Sequence, residues 1–493
     1  MISAHLPVLQ VALPLLGAVL CAMLHRGNWA WAVALVVSWT MPFIAGSLLL
    51  QVVANGPISY ALGGWLPPWG IEYRVDVVNA FVLVLVSCVG AVIMPYARLS
   101  VASEIAPERQ AWFYAMYLLC LCGLLGITIT DDAFNAFVFL EISSLSAYVL
   151  IALGRDRRAL LAAYQYLILG TIGATFYVIG VGLLYTMTGT LNLVDIAGRI
   201  DAIESTRPIL AALAFLTVGI SLKLALFPLH VWLPNAYAYA PSVATAFLAA
   251  TATKVAIYLL LRFFFSVFGV GFVFDTLPVT TIFLALSIAA MFGASIVAVF
   301  QEDVKRMLAY SSVAQIGYIT LGIALANQTG LTGGIVHLFN HAIMKSALFL
   351  VLGAVFYRIG SVKIQELAGI GYRMPITMGA FVIAGLGIIG TPGTAGFISK
   401  WYLALGALEA GDWWIVFLLV GSSVISILYI GRVVEVAWFR PVGETAKAAS
   451  DPPHSMMIPA LVLVAATVYF GIDADLTVGV AAQAAQTLLE GLK

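Results

Sequence analysis

HLFNHAIMKSALFL, residues 337–350, is an apolar run interrupted at steps of four by His337, His341 and Lys345. A step of four advances about 40° around an α-helix, so the three basic side chains form one polar stripe on an otherwise greasy rod. The stripe needs something polar to face. The rod needs surroundings that are not water.

Composition supplies those surroundings. Of 493 residues, 62% are hydrophobic and 9% charged, where soluble proteins carry about 25% charged residues. Apolar runs long enough to cross a bilayer, which takes roughly 20 residues, recur from Leu6 almost to the C-terminus. The chain therefore reads as an all-α polytopic membrane protein. Its 23 basic and 23 acidic residues balance to a formal charge of zero, which leaves no net field to recruit nucleic acid. Cys21, Cys88, Cys120 and Cys122 all lie inside apolar runs, where they read as packing residues rather than a disulfide framework or a metal site. No lysine or arginine precedes the first apolar run and no small-residue cleavage site follows it, so it reads as a retained span.

Fourteen spans are expected, near 4–24, 29–53, 76–97, 111–130, 133–154, 159–187, 207–230, 243–266, 277–299, 303–326, 330–356, 375–406, 413–437 and 455–475. Between the second and third, GPISYALGGWLPPWGIEYR has Gly and Pro punctuating short β-prone runs, the pattern of a small external hairpin. Alternating the loops between two sides places Arg26, Arg98, Arg109, Arg155, Arg157, Arg158, Lys305, Arg306, Arg358, Lys363, Arg373, Arg432, Arg440 and Lys447 together. The opposite side receives Arg74, Arg199, Arg207, Arg262 and Lys493. Basic residues concentrate in cytoplasmic loops, so both termini are expected outside. Four basic residues remain, Lys223, Lys254, Lys345 and Lys400, and all fall within spans.

An internal repeat is also legible. TFYVIGVGLLYTMTGTLNLVDIAG, ending at Gly198, echoes ALFLVLGAVFYRIGSVKIQELAG, ending at Gly369, and ISSLSAYVLIALG near 142 echoes YSSVAQIGYITLG near 310. The offset contains five spans, and an odd number turns the second copy upside down, as in inverted-repeat transporters. The chain divides accordingly into an N-terminal unit (1–110), a first repeat (111–266), a second, inverted repeat (277–437), and a last span with its tail (455–493).

The ionisable residues inside the spans are the candidates for chemistry. Glu141, in NAFVFLEISSLSAYVLIALG, is a carboxylate at membrane depth, which costs about 2.5–3.5 kcal/mol on insertion scales and so demands a partner or a wet cavity. Its expected partner is Lys223, in TVGISLKLALFPLHVWLP. Such a pair either fastens two helices or, opening and closing, sets the proton affinity of each member. Lys254, in ATATKVAIYLLLRF, has no acid in its own span and sits too near the middle of its run to reach an interface. Burial without a counter-charge disfavours the charged form of any amine, the property a relay group needs. His337 and His341 titrate nearest neutrality and are suited to bridge from Lys254 to the next helices. Lys345 stands equally between a relay and a structural role, and His230 is a further candidate. Lys400 ends GIIGTPGTAGFISK, where Gly390, Pro392, Gly393 and Gly396 should interrupt the helix; Pro228, Pro234 and Pro241 do the same after Lys223. Irregular backbone at that depth is tolerated only when buried in protein or lining water, so two breaks, each beside a lysine, point to an ion path. The run QEDVKRML reads as a solvated helix start for Glu302, Asp303, Lys305 and Arg306. Asn327 opens an N-Q-T sequon. No phosphate loop, cysteine cluster or haem motif is present, so no cofactor, metal or redox centre is expected.

The runs FVFLEISSLSAYVLIALG, LFPLHVWLPNAYAYAPSVATAFLAATATK, VKRMLAYSSVAQIGYI, HLFNHAIMKSALFL and GTPGTAGFISK resemble the antiporter-like subunits shared by Mrp-type cation/proton antiporters, respiratory complex I and membrane-bound hydrogenases. Five ordered motifs over roughly 70–440 carry the resemblance, and within it the chain is most similar to the D-type subunits of Mrp-type sodium/proton antiporters. It ends soon after span fourteen without a long lateral helix, and it has lysine at 400, where the middle complex I subunit usually has glutamate. The resemblance implies fourteen helices with inverted repeats formed by helices 4–8 and 9–13. It also implies broken helices 7 and 12, Glu141 and Lys223 as a coupling pair, Lys254 as the central relay, His337 and His341 as the bridge, and Lys400 as the exit lysine. It further implies other subunits of an Mrp-type complex as partners, protons and Na+ or another monovalent cation as the transported species, and a bacterial inner membrane as the setting. A redox-driven pump subunit would use the same relay and is the alternative.

Overall fold

A computed structural model describes residues 2–200, 202–203 and 206–491. Lys493, counted above with the loop charges, lies outside them. The expected helices are present. They begin with α1 (Leu6–Met23) and α2 (Gly27–Asn55), followed by the hairpin strands β1 (Ile58–Ala61) and β2 (Glu72–Val75), which pair antiparallel with Ile58 opposite Val75. Next come α3 (Val77–Glu104), α4 (Pro107–Ile129), α5 (Ala133–Ala152), α6 (Arg157–Thr188), the short α7 (Leu193–Ile200), α8 (Thr206–Leu224), α9 (Trp232–Tyr239) and α10 (Ser242–Leu261). The second half holds α11 (Val279–Ala289), α12 (Ser295–Val299), α13 (Val304–Leu325), α14 (Gln328–Ile359), α15 (Pro375–Ile389), α16 (Ala395–Glu409), α17 (Trp413–Phe439), α18 (His454–Ile472) and α19 (Asp475–Glu490). Thirteen helices or helix runs among the described residues are long and apolar enough to cross a membrane singly. The expected span at 375–406 is broken into α15 and α16, 15 residues each, and a fourteenth crossing is reached only if the bent pair Ile364–Tyr372 and Pro375–Ile389 counts as one. This is a multi-pass membrane protein.

Loop acids and amides are spent on helix starts. Asp76, Asp132, Asp156, Asp303 and Asn327 cap α3, α5, α6, α13 and α14, each accepting a backbone N–H that the helix itself leaves free. Asn327 also donates to the Gly406 carbonyl at 2.8 Å, so the sequon asparagine is part of the packing. Gly189 and Gly360 close α6 and α14 at φ 71° and 70°, a conformation that costs a side-chain-bearing residue but not glycine.

The helices sort by exposure. Phe43 and Leu50 on α2, and Phe417 and Val420 on α17, face outward, as apolar side chains do where lipid is the solvent. By contrast α10, α13 and α14 are buried along almost their whole length, and α14 packs against α3, α10, α13, α15, α16, α18 and α19. The tail beyond the last span folds into α19, whose buried Thr477, Ala481, Ala484, Ala485 and Leu488 recur at helical spacing against α3 and α14.

Both interruptions fall fourth in their five-helix sets. In the first, α8 stops at Leu224, Ala225 takes φ 60°, and the chain runs irregularly to α9. Trp232 Nε1 donates to the Leu222 carbonyl at 2.9 Å, satisfying a group the break sets free. In the second, Gly390 (φ 87°) and Gly393 (φ 83°) turn the chain between α15 and α16. A side chain at Gly396 would collide with the Gly387 carbonyl, so only glycine lets the two half-helices approach here.

Candidate functional site

Every ionisable residue singled out in the spans is buried or half-buried in the interior. Glu141 on α5 lies 3.6 Å from Lys223 Nζ on α8, with the glutamate side chain 26% exposed and the lysine 6%. The contact is an ion pair rather than a short hydrogen bond. Glu141 Oε1 has no hydrogen-bond partner among the described residues, while Lys223 donates to Ser144 Oγ at 2.8 Å. Lys223 therefore has two neighbours on one helix, Glu141 and Ser144, and can keep the second while loosening the first. Beside it, Ser143, Ser144, Lys223 and Tyr166 line, with Val255 and Ala256 of α10, a cavity of about 30 Å³, room for a water between α8 and α10.

Lys254, on α10, is fully buried. Its ammonium donates to the Ala249 carbonyl and reaches Thr253 Oγ1 at 3.4 Å, with no carboxylate partner among the described residues. The side chain turns back along its own helix, as the tilt of the Cα–Cβ bond favours. It does not reach an interface. Lys254 and Lys345 both lie within electrostatic reach of His341, so the row crosses from α10 to α14.

On α14 the opening stripe meets its partners. His337 Nδ1 is 2.7 Å from Ser399 Oγ on α16, and Nε2 is 2.9 Å from Gln315 Oε1 on α13. Ser399 itself donates to the Gly396 carbonyl. With the serine proton so engaged, Nδ1 is a donor, and an Oε1 facing Nε2 makes that nitrogen a donor too, the pattern of an imidazolium. Gln315 Nε2 has no partner among the described residues, and rotating the amide would present it to Nε2 and suit the neutral ring. The same three side chains thus accommodate both protonation states. His341 stacks on His337 with centroids 6.1 Å apart and planes 10° from parallel, and neither of its nitrogens has a partner among the described residues. Lys345 donates to the Leu308 carbonyl of α13 at 2.8 Å.

Lys400 on α16 donates to the Ile388 and Ile389 carbonyls at 3.2 and 2.9 Å and to Ser423 Oγ on α17 at 2.9 Å, with its ammonium 4.4 Å from the Tyr318 ring centroid. A cation at the C-terminal end of a half-helix meets both its free carbonyls and the negative end of its dipole. His230, in the first interruption, stacks on Phe227 at 5.1 Å and leaves Nδ1 unpartnered among the described residues.

These positions fall within or beside a family pattern. Residues 130–426 match the family described as NADH:quinone oxidoreductase/Mrp antiporter, transmembrane. The chain belongs to this family. Among its relatives, a protein of Desulforudis audaxviator (strain MP104C), named as the N subunit of an NADH-quinone oxidoreductase, is 43% identical over 486 residues, 95% of this chain and 96% of its own. A protein of Alkalihalophilus pseudofirmus, named as the D subunit of a Na(+)/H(+) antiporter, is 29% identical over 443 residues, 90% of this chain and 88% of its own. Of solved structures, a chain of the Mrp complex from Dietzia sp. DQ12-45-1b superposes with a TM-score of 0.90 at 26% identity, covering 99% of this chain and 98% of that one.

Two readings of the sequence are corrected. Arg262, counted with the loop charges, is buried with 5% exposure on the continuation of α10 and pairs with Asp76. Lys305, expected at a solvated helix start, is buried with 4% exposure. It donates to Ser242 Oγ at 3.0 Å and lies 5.1 Å from the Phe356 ring centroid. Ser242 in turn donates through its backbone N to Glu104 Oε2 at 3.0 Å. Asp303 caps the helix as expected, but the next turn tucks beneath α10 instead of facing solvent. Glu104, which sequence reasoning passed over, closes the group. A cavity of about 410 Å³ lined by Glu104, Arg155, Arg158, Asp303, Lys305 and Lys363 adjoins it on the arginine-rich face.

Proposed function

We propose that this chain is the proton-translocating subunit of a multisubunit monovalent cation/proton antiporter, moving protons through Glu141, Lys223, Lys254, His337, His341 and Lys400. The observation that carries the reading is the row itself: four lysines and two histidines buried across α8, α10, α14 and α16, with the carboxylate of Glu141 placed at one end. Uncompensated cations are an expensive way to hold helices together, so their presence argues for use.

A proton entering one half-channel loads Lys254. Closing the Glu141–Lys223 pair draws Lys223 toward the acid, and opening it returns uncompensated charge to the neighbourhood of Lys254. That repulsion moves the proton toward His341 and His337, whose surroundings accept it in either state, and onward to Lys400 at the second break. Lys345, anchored to α13, and His230, in the first break, sit beside this route. Each proton moving inward across 100 mV of membrane potential yields about 2.3 kcal/mol, the same as the cost of carrying one monovalent cation outward, so net export draws on the pH difference or on more than one proton per cation. Membership of a complex with further Mrp-type subunits, a bacterial inner membrane, and termini on its outer side complete the proposal. The chemistry is transport, with no redox step at this chain.

A second reading is favoured by the 43% identity to a relative named for NADH-quinone oxidoreductase: the same relay driven by electron transfer in a larger complex. Purifying the tagged chain from its native membranes decides between them. Antiporter-type partners without flavin or iron–sulfur proteins, together with sodium-dependent proton flux in vesicles, support the first reading. Stoichiometric redox subunits overturn it in favour of the second.

A further inference from the structure

Thr130, Asp131 and Asp132 turn the chain from α4 into α5 on the face that carries the hairpin. Asp132 has a structural duty, since its Oδ1 accepts the Asn135 N–H at 2.6 Å. Asp131 has none for its side chain. Its backbone N donates to the Glu72 carbonyl at 2.9 Å and its carbonyl accepts from Leu193 N at 2.8 Å, pinning the main chain between β2 and α7. The carboxylate is carried inside, 7% exposed, with Oδ2 lacking a partner among the described residues. A buried carboxylate without a donor is costly while ionised and far less so once protonated.

The neighbouring charges are already engaged. Asp76 pairs with Arg262 and accepts from Val78 N and Asn79 N. Glu72 accepts from Asn192 Nδ2 at 2.9 Å and from Ser59 Oγ. Arg262 Nε donates to Tyr258 OH at 2.9 Å. Arg74 on β2 is the other cation in reach. Burial, with Glu72 and Asp76 adding to it and Arg262 and Arg74 opposing, pushes the Asp131 carboxyl up to about 7.

Arg262 stands eight residues after Lys254, with Tyr258 midway, so the three share one stripe about 12 Å long on the relay helix and its continuation. At Arg262 that helix widens into a π-helical turn through Val267, a distortion that commonly marks functional positions. Lys254 points away toward Ala249, so the stripe is no proton wire in this state; what passes along it is charge. Neutralising Asp131 leaves Arg262 with one counter-charge fewer.

We propose that Asp131 is a proton-binding site on the hairpin face, exchanging with the water of that side and, through Arg262, setting the charge felt by the relay helix. This rests on the relay reading above. The test uses the whole complex in vesicles with the pH varied only on the hairpin side, and pH-difference infrared spectra of the same preparation. Wild-type antiport is expected to show an inflection near neutrality and a carboxyl band titrating with it. Asp131→Asn, which mimics the protonated form, is expected to hold the rate at the wild-type acid-side plateau and to lack the band; Asp131→Ser serves if the asparagine variant fails to assemble. Retention of both inflection and band in the variants overturns the site. So does a band that sodium displaces at fixed pH, which would make it a cation site. If Lys254→Ala retains full antiport, the relay reading falls while the band still reports on Asp131; if Lys254→Ala is inactive and Asp131→Asn keeps the wild-type profile and band, the Asp131 site falls alone.

Discussion

Replacing Glu141 by glutamine removes one charge from the pair and little volume. At 3.6 Å and an effective dielectric constant of about 20, the attraction between the two charges is about 5 kcal/mol. The glutamate side chain is 26% exposed, so solvent screens it, and halving the figure to about 2 kcal/mol is a fair working value. That corresponds to roughly 30-fold in the balance between the paired and unpaired positions of Lys223. Ser144 still accepts from Lys223 at 2.8 Å, so the lysine keeps a partner and the complex should assemble. Sodium-dependent collapse of ΔpH in everted vesicles, read by a fluorescent amine at matched amounts of assembled complex, should slow by at least about tenfold. Glu141→Asp, with the charge retained on a shorter arm, should recover part of the loss. Rates for Glu141→Gln within twofold of wild type would refute the coupling role, because the largest electrostatic change available at that site would then have no consequence for transport.

Lys400→Ala should block proton release on sodium addition while subunit stoichiometry in the purified complex stays normal; wild-type release would remove Lys400 from the path. Gly390→Ala should lower stability by about 1–2 kcal/mol from the left-handed backbone alone, and more because its Cβ would sit 2.8 Å from Lys400 Cδ; an unchanged melting temperature in detergent contradicts this. For Asp131 the sign runs from acid to base. A carboxyl raised from 3.8 to about 7 in the fold weakens the folded state progressively as pH climbs between those values, by at most about 4 kcal/mol. Asp131→Asn should therefore gain on wild type in thermal stability from pH 5 to pH 8, and a gap that shrinks over that range speaks against the assignment.

The spans were legible because lipid imposes one rule on every residue of a crossing helix, and Gly390 to Gly396 announced their break by composition alone. Lys223, Lys254 and Lys400 were legible for a related reason: a lysine amid twenty apolar residues has nowhere else to be. Lys305 was not, because it stands among Glu302, Asp303 and Arg306, and a charged quartet in sequence carries no sign of which member the helix turns inward. Only its partner Ser242, sixty-three residues away, shows that. Arg262 was counted among loop charges, although it continues the step of four that runs through Lys254 and Tyr258, a spacing in the sequence that was there to be read. Asp131 and Asp132 are chemically identical neighbours; backbone direction at the turn, which composition does not encode, gives one a cap to make and leaves the other enclosed. The tail received no element of its own from the sequence, because α19 buries mostly alanines, which stand out little against so apolar a chain.

The 32 residues of α14 make a rod of about 48 Å, well beyond the roughly 30 Å of hydrocarbon it crosses. It touches seven other helices, from α3 near the start of the chain to α19 at its end. A shaft gripped on all sides does not slide or tilt by itself; any displacement at one grip is felt at the other six. Whatever rearrangement accompanies ion movement in one half is thereby delivered to the other through a single stiff member, and mutations that thicken its flanks should jam the machine far from any ionisable group.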